Sequence, residues 1–174
     1  MNVDAAWILI DTTLKVGLGG VIAISAAWLF QRSRHIKQLP QVAQRKLEIL
    51  ENISGSVGQV NHHFAKYSAL VIESTRFGNA WPSARRLELE SINEVLVKEF
   101  DQLADAEAKL LMLGEKTMER TLRLYAAKIA LFRKQVYVGR ADISDQEIAE
   151  LKSGIMKLRE QFYELLSKRY DRLL

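Results

Sequence analysis

Residues 50–71 read LENISGSVGQVNHHFAKYSALV, and within them Leu50, Ile53, Val57, Val60, Phe64, Tyr67 and Val71 recur at alternating intervals of three and four. That spacing puts all seven side chains on one stripe of an α-helix, an a/d seam suited to packing against other helices. The stripe predicts a helix over 41–77. It begins after Pro40 and ends at Gly78, Asn79, Trp81 and Pro82, the clearest breaker cluster in the chain. Ser54, Gly55, Ser56 and Gly58 interrupt it with poor helix formers, which allows either a kink or the close approach of a neighbour.

The same pattern continues towards the C-terminus. Leu89, Ile92, Leu96, Phe100, Leu103 and Leu110 mark a second helix, whose first turn suits Pro82. It lies in an acidic stretch, with four basic and seven acidic residues between 82 and 113. A third seam, Met118, Leu122, Tyr125, Ile129, Phe132 and Val136, runs in a different phase, and the change falls beside Gly114. One helix from Ser83 to Val138 would be about 84 Å long, against about 55 Å for the first helix. A break at Gly114 is therefore expected. The last helix carries a Ser144-x-x-Glu147 capping box, with Ile143 and Ile148 as its staple. From there Ile148, Leu151, Ile155, Leu158, Phe162 and Leu165 carry the seam towards Arg172. The fold class expected for residues 41–174 is all-α, an antiparallel up-down four-helix, coiled-coil-like bundle.

Residues 1–40 differ. Between Trp7 and Phe30 the only charges are Asp11 and Lys15, and Arg32, Arg34 and Lys37 follow directly. An apolar run of this length ending in a basic cluster reads as a single-pass transmembrane anchor with a juxtamembrane segment. No basic stretch precedes it, which favours an uncleaved anchor over a removed signal peptide. The positive-inside rule then places the N-terminus outside and the C-terminal bundle in the cytoplasm, at an inner or plasma membrane. Gly17, Gly19 and Gly20 permit close helix contact, and Asp11 with Lys15 form an i, i+4 pair, so self-association through residues 7–77 is expected.

The 174 residues include no Cys and three His, which excludes disulfides, thiolate metal sites and Cys nucleophiles. A Glu-x-x-His carboxylate centre would need Glu three residues before a histidine, but those positions hold Arg32, Gln59 and Val60. No phosphate-binding glycine loop, zinc-protease helix or nucleophile elbow is present. No cofactor or metal is expected, and the acidic residues are assigned to solvated faces opposite the seams. The formal net charge of +4 gives nucleic acid little support as a partner.

Two groups of candidates remain. An up-down path gathers Phe77, Trp81, Arg85, Arg86 and Arg140 at one tip as a partner-binding site, where Trp81 is either an exposed contact or a plug of the core. At the other end Lys168, Arg169 and Arg172 join Arg32, Arg34 and Lys37 as cations for anionic lipid. The function expected is a non-enzymatic, membrane-tethered and oligomeric interaction protein that presents a cytoplasmic bundle to a partner protein. The alternative is a membrane-perturbing or pore-forming effector whose polar, glycine-bearing anchor is gated by the bundle.

Overall fold

The computed structural model describes residues 40–140 and 142–174. Among the described residues, 45–173 form one compact unit. The described residues form four α-helices and no strand: α1 (Gln41–Phe77), α2 (Ser83–Met112), α3 (Lys116–Gln135) and α4 (Asp145–Asp171), with a 3-10 turn at Gly78–Ala80. The proposed anchor and its basic flank, including Asp11, Lys15, Gly17, Gly19, Gly20, Arg32, Arg34 and Lys37, lie outside the described residues. Among the described residues no helix is long and apolar enough to cross a membrane.

The helices begin and end where local chemistry requires. At Gly114 (φ 78°) α2 closes with a two-bond cap: Glu115 N–H donates to the Leu110 carbonyl at 2.9 Å and Gly114 N–H to that of Leu111 at 3.0 Å. This is the Schellman arrangement, which needs a left-handed residue at the turn and so selects glycine. It decides for two helices at this point. Pro82 stands at the N-cap, one position before the helix that had been expected to include it. Ser144 caps α4 by accepting from Glu147 N–H at 3.1 Å, and the helix ends at Asp171 with Arg172 as its C-cap.

Every residue of the α1 seam is buried, as is every residue of the α3 seam from Met118 to Val136. Tyr125, Phe132 and Phe162 are the largest fully buried side chains, and Phe132 meets Phe64 edge-on with ring centroids 5.2 Å apart. Consecutive helices run in opposite directions. Arg76 at the end of α1 meets Asp145 at the start of α4 (3.0 Å), whereas Tyr170 near the end of α4 donates to Glu51 near the start of α1 (2.6 Å). Between these points Tyr163 donates to the Ser54 carbonyl at 3.2 Å, and its hydroxyl lies 3.8 Å from where a Cβ on Gly58 would stand. α1 runs unbroken through the Ser-Gly-Ser segment, whose small residues admit the α4 tyrosine.

Two glycines should therefore respond oppositely to substitution. A Cβ on Gly55 would meet nothing within 4 Å, so Gly55→Ala should raise stability by about 0.5–1 kcal/mol through helix propensity. Gly114→Ala places a side chain in the left-handed region and should cost about 1–2 kcal/mol. Paired urea titrations check both; the same sign for the two variants would contradict the assigned turn.

Candidate functional site

The tip of the bundle is organised by Glu73, one turn before the end of α1. Its Oε1 accepts from Trp81 Nε1 at 3.1 Å and from Arg85 Nε at 3.2 Å, and its Oε2 accepts from Arg85 Nη2 at 2.6 Å. The fork of the guanidinium against both carboxylate oxygens is the bidentate geometry that fixes Arg most firmly. A further bond from Arg85 Nη1 reaches Glu88 at 2.6 Å. The Arg85 hydrogen bonds hold the Glu73 carboxyl below its ordinary value, against partial desolvation and with help from Trp81. Glu73 thus adds stability above the usual carboxylate range, and the contribution is lost as pH falls through its lowered value.

Trp81 is only 4% exposed, so of the two readings of it, exposed contact or plug of the core, the structure shows the plug. Arg140 is similarly engaged. It donates to the Gln135 carbonyl, to Glu147 at 3.2 Å and to Asp142 at 3.4 Å, clamping the α3–α4 connection around the left-handed Gly139 (φ 91°). Of the five tip candidates, Phe77 (58% exposed) and Arg86 face solvent, while Arg85 is held by Glu73 and Glu88. The Arg76–Asp145 pair joins them at the same end, although both of its side chains are mostly exposed and such pairs contribute little.

At the opposite end Arg169 Nε pairs with Glu115 Oε1 at 2.6 Å, tying the last turns of α4 to the turn at Gly114. This leaves Lys168 and Arg172 as the exposed members of that C-terminal trio.

Sequence reasoning missed two buried carboxylates. Glu99 is buried against α1 and meets His63 Nδ1 at 2.7 Å, and Glu119 is buried on α3 with Arg123 at 3.4 Å. The expectation that acidic residues lie on solvated faces is corrected at these positions. Their spacing carried the signal: Glu99 is three after Leu96 and four before Leu103, and Glu119 is three before Leu122. Burial raises the Glu107 carboxyl from its ordinary value; Glu119 adds to this and Arg123 opposes it. A raised value favours the native state at low pH and disfavours it once the group ionises. Glu107→Gln should accordingly shift the urea midpoint upward at pH 7, with the gain fading below the usual carboxylate range. An equal shift at pH 7 and pH 3.5 would show that charge is not its cause.

Among the described residues no group of three or more His, Asp or Glu side chains is placed to hold a metal ion. Comparison with protein-family models, curated proteins and solved structures gives no match to this chain.

Proposed function

We propose that this chain is a membrane-tethered, non-enzymatic interaction protein whose helical bundle is presented to a partner protein in the cytoplasm. The observation that carries the reading is the run from Trp7 to Phe30, with Asp11 and Lys15 as its only charges, followed at once by Arg32, Arg34 and Lys37. Such a run is long enough for one tilted or straight crossing, and the basic cluster orients it. Lys168 and Arg172, both exposed, add cations for anionic headgroups at up to about 1 kcal/mol each. At the tip, Phe77 and Arg86 are both exposed, and aromatic residues and Arg are the types enriched at protein interfaces.

The test uses full-length protein recovered from its native membranes in mild detergent. A partner that copurifies with the wild type should be lost by at least about tenfold with Phe77→Ala and Arg86→Glu together, while the bundle's unfolding midpoint stays unchanged. Full recovery by the folded double variant would remove the tip from the interface. A potential-sensitive dye supplies the second arm. Induced expression should leave the membrane potential intact, and a collapse abolished by Asp11→Leu with Lys15→Leu would instead support the pore-forming reading.

A further inference from the structure

α2 and α3 each carry a second stripe on the solvent side, in addition to the seam that faces the core. On α2 it is Val97, Ala104 and Leu111, seven residues apart; on α3 it is Leu124, Ala127 and Leu131. All are exposed: Val97 47%, Leu111 52%, Leu124 48% and Leu131 38%, with both alanines also open to solvent. Both stripes lie on the solvent side of the α2–α3 pair. The two helices pack side by side, joined where Arg133 of α3 donates to Asn93 of α2 at 2.6 Å. A heptad stripe on solvent has no use in packing this bundle internally.

The charges beside the stripes identify what covers them. α2 carries four basic and seven acidic residues, whereas α3 carries six basic and one acidic. Glu94 and Asp101 flank the α2 stripe, and Arg120 and Lys128 flank that of α3, all exposed. We infer that the α2–α3 face is an interface between two copies of this chain, in which α2 of each copy lies on α3 of the other.

Charge selects this arrangement over its rival. A two-fold axis lying in the face and across the helices would set α2 on α2, acid against acid, and α3 on α3, base against base. An axis lying in the face and along the helices sets α2 on α3 twice, in an isologous pair that places acid against base at both contacts. The Asn93–Arg133 register carries over to the facing helix, so Glu94 and Asp101 fall at heights on either side of the other copy's Lys128. The same axis leaves Arg45 of both copies at one end, the geometry that two chains entering one membrane require. The face adds to the self-association expected through residues 7–77, so its test is read as the strength of the dimer relative to wild type.

Full-length protein in mild detergent should sediment as a dimer. Leu124→Glu with Leu131→Glu should weaken the dimer by about tenfold or more at unchanged helix content, because both positions are exposed. Glu94→Lys with Asp101→Lys should weaken the dimer by about tenfold or more, as should Arg120→Glu with Lys128→Glu, through like-charge opposition. All four reversals in one chain should restore it to within about threefold of wild type. A monomeric wild type, a folded leucine variant that dimerises as tightly as wild type, or a fourfold variant no tighter than its parents would each overturn the proposal. Should the leucine variant lose helix, the charge-reversal series decides.

Discussion

Trp81→Ala is expected to lower the stability of the bundle by about 3 kcal/mol, the largest loss from any single tip residue. The indole closes the core between the end of α1 and the start of α2, and its Nε1–H is one of the donors that hold Glu73. Truncation leaves a cavity at the end of the bundle and removes one of the bonds that set Glu73 against Arg85. Trp81→Phe separates the two contributions: it keeps most of the ring volume, loses the donor, and should cost about 1 kcal/mol. Urea denaturation followed by circular dichroism measures both. A loss below about 0.5 kcal/mol for Trp81→Ala would mean that the side chain is not the plug that the structure places there. Partner recovery should fall with Trp81→Ala only in proportion to unfolding, which distinguishes it from Phe77 and Arg86, where binding should fall with stability unchanged.

The helices were legible because their signals are local and redundant. The α1 and α3 seams needed only intervals of three and four, and the Ser144–Glu147 box names its own hydrogen bond, since the acceptor and the donor are three residues apart in the chain. Gly114 was less certain as a single glycine; what makes it a turn is the pair of carbonyls at Leu110 and Leu111 that it allows the following N–H groups to reach. The tip was legible in location but not in exposure. Whether Trp81 points inward depends on Glu73, eight residues away, offering an acceptor beside the core. Glu99 is hidden for a related reason: a carboxylate at a seam position reads as an exposed neighbour until the partner from another element, here His63, is known. The outer stripes of α2 and α3 are not legible in the sequence because Val97, Leu111, Leu124 and Leu131 are isolated among charges, and only their exposure on the folded helix pair singles them out.

The second large effect concerns residues 1–40. Removing them should transfer the protein from the membrane fraction to the supernatant almost completely, because a helix-length apolar run supplies far more binding energy than surface cations do. The released bundle should retain the unfolding midpoint of the full chain and the oppositely signed responses of Gly55→Ala and Gly114→Ala, since the core lies within residues 45–173. Lys168→Glu with Arg172→Glu in the full chain should leave the protein in the pellet and change only its sensitivity to salt.

Alkaline carbonate extraction of membranes bearing the full-length chain, with protease access to a C-terminal tag read on the same preparation, tests the central claim most directly. The account predicts that the protein stays in the pellet and that the tag is cleaved only from the cytoplasmic side. Release of the intact protein into the carbonate supernatant would contradict it.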